Sequence, residues 1–243
     1  MTLEGRAALV TGAGRRVGQA IAVGLARAGC DVAVHVHGTA DGGSETVKQI
    51  RALGRKAEPL AADLRDAHAA RDLAGRAAAL LGGRLDILVN SAAIMVKQAV
   101  PDVTPESWDR TIDLNLRAPF FVTQGAVPFL KRSRGRVVNL ADVAGFEPWP
   151  AYVPHNVSKA GVVMLTKGLA RALAPDITVN AVAPGAVLLP DEWDEKARTH
   201  FAETTPLGRL GTPEDVVQAV LYLLTADYVT GTVLIVDGGR VIR

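Results

Sequence analysis

The chain alternates short apolar runs with longer segments in which apolar residues recur every three to four positions. Ala7 to Thr11 is a run closed by Gly12, as expected of a strand buried on both faces. Val17, Ile21, Leu25 and Ala28 then form a helical stripe, with Gly29 just past it as a stop. The same alternation continues. Asp31 to Val36 reads as a strand, and Ser44 to Leu53 as a helix capped by Ser44. Lys56 to Ala62 is a strand, and Ala67 to Leu81 an Ala-rich helix ended by Gly82-Gly83. Leu85 to Val89 is a strand, and Thr104 to Leu130 holds two helices with Pro119 near their junction. The remaining elements are strand Gly135 to Leu140, helix Pro154 to Leu173, strand Ile177 to Val182, helix Pro213 to Leu224 and strand Thr232 to Val236.

Strand and helix in turn, with short connections, predict one α/β domain over residues 1–243: a doubly wound, seven-stranded parallel sheet with helices on both faces. Only the stretch from Pro184 to about 210 breaks the rhythm, and it is expected to be irregular, the place for a substrate lid. Composition adds exclusions. Hydrophobic residues make up 49% of 243, ample for a core. The net charge of +2 forms no basic stripe, so nucleic acid is not an expected partner. No apolar run reaches about 18 residues and the N-terminus has no signal-peptide layout, so no membrane span and a cytoplasmic setting are expected. The single cysteine, Cys30, reads as core; it can form no internal disulfide, and no metal site is expected.

Chemistry enters at the first turn, Thr11-Gly12-Ala13-Gly14-Arg15-Arg16-Val17-Gly18, which follows a buried strand and opens a helix. Glycines let backbone approach a pyrophosphate, and the helix start offers free N–H groups and a positive dipole end. The second strand ends Val34-His35-Val36-His37-Gly38-Thr39, without the carboxylate that an NAD site uses for the ribose 2′-hydroxyl. Arg15, Arg16, His37, Gly38 and Thr39 suit a 2′-phosphate instead, so the expected cofactor is NADP(H).

With these residues on the page, the chain resembles the short-chain dehydrogenase/reductase family over nearly its whole length, which implies the Rossmann fold. The glycine turn, Asp63, Asn90-Ser91-Ala92-Ala93, Asn115, Pro184-Gly185 and Val236-Asp237-Gly238-Gly239 stand in family order and spacing. The resemblance implies that Gly12, Val17, Leu64, Ser91, Lys159 and Val187 also line the cofactor. It places Asp63 at the adenine, Asn90 and Ala92 near the ribose, and Pro184-Gly185 at the nicotinamide. It further implies a homotetramer, through the paired long helices and the last strand. The helix from Pro154 carries Val162, Met164, Leu165 and Leu169, more apolar residues than one buried stripe requires.

Within the family the chain is similar to pteridine reductases and their bacterial dihydrofolate-reducing relatives. Arg16 stands where most members have Gly or Ala, His37 matches part of a His-Arg-Ser phosphate patch, and Asp142 stands where most have the catalytic Ser. Two positions depart. Met95 and Ala93 occupy the places of the aromatic substrate clamp and its neighbouring Ser. The catalytic pattern of Tyr, three residues, Lys reads His155-Asn156-Val157-Ser158-Lys159, at the family's spacing from Asp142. An imidazole, titrating near 6.5 in water, is suited to proton transfer. The catalytic residues expected are therefore Asn115, Asp142, His155 and Lys159, with Arg16, Met95, Asp142, His155 and Trp193 against a small-molecule substrate. Tyr152 shares the face of His155 if the helix starts early, and Phe146 and Trp149 read equally as pocket edge or packed loop. Three functions stay open: a pteridine-type reductase acting on C=N or C=O, a general carbonyl reductase or alcohol dehydrogenase such as an oxoacyl reductase, and a cofactor-binding protein without turnover.

Overall fold

In the computed structural model, which describes residues 2–188 and 194–242, seven parallel strands form one sheet in the order β3-β2-β1-β4-β5-β6-β7. The strands are β1 (Ala7–Val10), β2 (Asp31–Val36), β3 (Ala57–Ala61), β4 (Ile87–Asn90), β5 (Arg136–Leu140), β6 (Thr178–Pro184) and β7 (Val233–Val236). Every residue of β1 and β4 is buried, which is why these segments read as unbroken apolar runs.

The helices are α1 (Arg16–Arg27), α2 (Ser44–Ala52), α3 (Ala67–Leu80), α4 (Pro105–Ile112), α5 (Ala118–Ser133), α6 (Val153–Leu173), α7 (Glu195–Glu203) and α8 (Pro213–Thr225). One face of the sheet is covered by α1, α2 and α8 through Ile21, Leu25, Ile50, Val216 and Leu223. The other is covered by α3, α5 and α6 through Leu73, Ala77, Val122, Leu130 and Ala170. The alanines of α3 let α5 come close: a Cβ on Gly125 would run into the carbonyl of Arg71.

The chain reverses direction across the sheet between β1 and β4, so a crevice opens at their carboxyl ends. Register aligns Val10 with Val89 and Asn90 with Asn139, bringing the exits of β1, β4 and β5 to one level.

Two local expectations change, and the expected junction near Pro119 gains a shape. Ser44 is the first residue of α2 rather than its cap; Gly43 holds that position, and no side chain caps the turn. The junction before Pro119 is a wide, π-type turn over Asp113–Arg117 that joins α4 to α5 without a break. The stretch after Pro184 is not irregular throughout, because α7 forms within it. Cys30 is core as expected, and burial pushes its thiol up to about 12. Among the described residues no helix is long and apolar enough to cross a membrane, and no group of three or more His, Cys, Asp or Glu could hold a metal.

Candidate active site

The turn after β1 is held from several sides. Thr11 N–H donates to the Val89 carbonyl, Gly12 N–H to His35 Nδ1 and Ala13 N–H to the His35 carbonyl, at 2.9, 3.1 and 2.8 Å. Thr11 Oγ1 accepts from the amides of Ser91 and Ala92, tying the turn to the exit of β4. Gly12 has φ +65, and a Cβ there would stand 2.8 Å from Cα of Ala92. The first-turn amides of α1 are left over: Arg15 is the cap and offers no side-chain acceptor, and the turn holds no acidic residue. An anionic group is what such a terminus lacks. Arg16 sits in the left-handed region at φ +55, and its guanidinium donates to the Leu188 carbonyl at 2.8 Å.

At the adenine end, His37 and Thr39 lie exposed at the exit of β2, with Gly38 at φ +84 between them. The carboxylate of Asp63 stands 3.9 Å from His37 Nδ1, and Arg65 grips it through Nε and Nη2. That guanidinium draws the Asp63 carboxyl down to about 2, so its charge is matched by a cation of its own. Leu64 is buried beneath, as is Val187 after β6.

The catalytic candidates converge at the exits of β4 and β5. Asp142 follows β5, and its Oδ1 accepts from the Ala144 amide at 2.8 Å, which turns Oδ2 toward His155. His155, in the first turn of α6, is 3% exposed, and its Nε2 stands 3.7 Å from that oxygen without a hydrogen-bond partner among the described residues. Asn115 rides on the wide turn. Its Oδ1 accepts from the Ile94 amide, while Nδ2 donates to the Ile94 carbonyl at 2.9 Å and to Ser158 Oγ at 3.1 Å. Both amide hydrogens are thereby committed, so His155 Nδ1, 3.4 Å from the same Nδ2, receives no donor. It lies 3.3 Å from the Ile94 carbonyl, an acceptor. This network assigns the hydrogen to Nδ1 and leaves the Nε2 lone pair facing Asp142 in the neutral ring. Lys159, one turn on, donates to the Leu140 carbonyl at 2.7 Å. Burial holds its ammonium below the usual lysine range, against the opposing pull of Asp142.

Comparison with known proteins decides the family. The model described as enoyl-(acyl carrier protein) reductase matches residues 12–240. A 3-oxoacyl-(acyl-carrier-protein) reductase of Thermotoga maritima is 36% identical over 100% of both chains. A 2-dehydro-3-deoxy-D-gluconate 5-dehydrogenase of Escherichia coli is 34% identical over 100% of this chain and 98% of its own. The crystal structure of a putative short-chain alcohol dehydrogenase from Sinorhizobium meliloti superposes with a TM-score of 0.93 at 36% identity, covering 100% of this chain and 99% of that one. The chain is a short-chain dehydrogenase/reductase.

The family's NAD(P)(H) cofactor fits this short-chain dehydrogenase/reductase on the evidence of its own turn, with the uncapped start of α1 and the close approach of Gly12 to Ala92. Other expected residues lie as follows. Pro184 ends β6 and Gly185 donates its amide to the Val236 carbonyl, at the same strand ends as Asp142. The Asn90 side chain turns into the core, donating to Asn139 Oδ1 and Thr123 Oγ1, so only its backbone is offered to a cofactor. Met95 is exposed beside the site. Tyr152 caps α6 rather than lying within it, and its ring meets Trp149 edge-on. Trp193 lies outside the described residues.

Several partners were not foreseen. Arg65, two residues past Asp63, is a local pair open to sequence inspection. The buried chain Asn90–Asn139–Thr166 has a weaker signal, an Asn at the carboxyl end of two successive apolar strands. The Ile94 carbonyl that sets the imidazole has no signal in side-chain chemistry.

Proposed function

We propose that this short-chain dehydrogenase/reductase is an NADP(H)-dependent oxidoreductase acting on a C=O or C=N bond of a small molecule, with Asp142 and His155 as its proton-transfer couple in place of the family tyrosine. The observation that carries this reading is the buried, unpartnered Nε2 of His155 facing a carboxylate at 3.7 Å. That separation is too long for a hydrogen bond, and catalytic contacts commonly tighten only around a substrate.

When bound, NADPH would supply the hydride to the carbon of the substrate double bond. Arg15, Arg16, His37 and Thr39 carry the 2′-phosphate preference, and Lys159 binds the ribose. In reduction, the oxygen or nitrogen of that double bond takes a proton from the Asp142–His155 couple, which is refilled from water. In oxidation, the neutral imidazole beside the Asp142 carboxylate takes the proton back. Asp142 is the outer member, its side chain a quarter exposed against 4% for His155. The Ile94 carbonyl and Asn115 hold the ring in the tautomer this requires.

The relatives named as oxoacyl reductase and sugar-acid dehydrogenase support a carbonyl substrate, as does Met95 in the place of an aromatic clamp. A pterin is the second reading, favoured by Arg16 reaching from the glycine turn to the segment after β6. The test is consumption of NADPH and NADH against ketones, 3-oxoacyl thioesters and dihydropterins. Turnover of a carbonyl substrate with NADPH is expected. Tight NADPH binding with no turnover across the panel would replace this reading by a cofactor-binding protein without catalysis.

A further inference from the structure

His35 is a polar side chain inside the sheet, 2% exposed, on a strand flanked by β1 and β3. A buried imidazole is tolerated when both ring nitrogens are satisfied, and here they are satisfied in a particular sense. Nε2 lies 3.2 Å from the Ala62 carbonyl, which can only accept. The ring hydrogen therefore sits on Nε2, and Nδ1 is left as an acceptor. It takes the amide of Gly12 at 3.1 Å. Gly12 is the left-handed residue that turns the chain from β1 into the approach to α1. On its other side it is pressed against Ala92, and Gly18 packs onto its carbonyl. Among the described residues His35 is the side chain that accepts the Gly12 amide, and its own carbonyl holds the amide of Ala13. A hydrophobic residue on β2 would serve the core as well and would take away the acceptor of the part-buried Gly12 amide.

We infer that His35 is a positioning residue of the cofactor site: through the Gly12 amide it fixes the turn whose following amides receive the pyrophosphate. The bond to Ala62 matters because it keeps Nδ1 free of hydrogen. This rests on the reading of that turn as the NADP(H) phosphate site, and it assigns His35 no contact with the cofactor.

Three substitutions separate the two bonds. His35→Asn places Oδ1 where the ring holds Nδ1 and keeps the Gly12 acceptor alone. His35→Gln keeps a donor toward Ala62 alone. His35→Leu removes both. Binding of NADPH and of adenosine 2′-monophosphate, which has no pyrophosphate, is measured by calorimetry on folded protein. Loss of the Gly12 bond is expected to weaken NADPH about tenfold or more in the Leu and Gln variants, with Asn within about threefold of the parent. Adenosine 2′-monophosphate should change less than about twofold in all three, since one mispositioned turn does not reach it. NADPH affinity unchanged in the Leu and Gln variants overturns the inference. So does an Asn variant as weak as Gln, or parallel loss of both ligands, which would mark a general structural role. If the Leu variant does not fold, the Asn–Gln contrast decides. A parent that binds neither NADPH nor NADH removes the cofactor reading, and the positioning role with it; a parent that binds NADH alone is tested with NADH in the same way.

Discussion

Two buried histidines are held in opposite tautomers, and each leads to a measurable difference. At His155 the hydrogen is on Nδ1, against the Ile94 carbonyl, so Nε2 is the working atom. His155→Ala is expected to lower turnover about 10²–10⁴-fold, the usual loss on removing a general acid or base. NADPH affinity should stay within about threefold, because the phosphate turn is left in place. Full activity in that variant, on a confirmed substrate, would move the proton transfer to Asp142 alone. At His35 the hydrogen is on Nε2 and the ring is buried. Burial lowers its pKa from 6.5 to about 4, opposed by the bond to Ala62, while His37 and Arg76 add to the lowering. The folded protein therefore keeps His35 neutral where the unfolded chain already takes up a proton. Its stabilising contribution is complete above about pH 6.5 and falls as pH drops toward 4, by about 3 kcal/mol in total. Urea unfolding of the parent and of His35→Asn at pH 7 and pH 4.5 tests this. The parent should lose more stability than the variant between the two pH values, and equal losses would contradict the assignment.

At the scale of elements, the start of α1 carries a conflict that the sequence alone does not show. Arg16 occupies the first helical position at φ +55, where an L-residue is strained by roughly 1 kcal/mol or more and glycine is not. Helix propensity ranks Ala above Gly by about 1 kcal/mol. Arg16→Gly and Arg16→Ala both lose the guanidinium and its bond to Leu188. Their difference therefore isolates the backbone. The Gly variant should unfold at the higher temperature; an Ala variant as stable or more so would mean that Arg16 relaxes to an ordinary helical start. The fold as a whole was legible because its central strands are apolar on both faces and its helices keep one period. What was not legible depended on through-space partners. Ser44 looks like a cap until Gly43 is seen to hold that place, and the joint at Asp113–Arg117 is set by packing rather than by a breaker. The helix α7 lies in a stretch of weak amphipathic signal. In the candidate site, Asp142, His155, Lys159 and Asn115 were legible through the family resemblance, whereas the Ile94 carbonyl and the Gly12–His35 bond involve backbone atoms that no motif names.

At the scale of the molecule, two apolar surfaces lie far apart on one protomer. On the face of α6 that turns away from the sheet, Met164 is 65% exposed, and Phe120 and Trp108 are exposed on α5 and α4. At the β7 end of the sheet, Ile235, Tyr222 and Ile242 are exposed beside an edge strand whose outer hydrogen-bonding side has no neighbouring strand among the described residues. One self-complementary patch makes a dimer, and two independent ones make a tetramer of closed two-fold symmetry. Each surface should therefore be separable by substitution. Light scattering of the parent at micromolar concentration is expected to give four times the chain mass. Met164→Glu, at a position too exposed to disturb the core, should halve that mass, and Tyr222→Glu should halve it through the other surface. The two together should leave single chains that still unfold cooperatively. A parent that runs as one chain would show that neither surface is an interface. A halving by only one of the two substitutions would leave the protein a dimer of dimers held by a surface other than the one changed without effect.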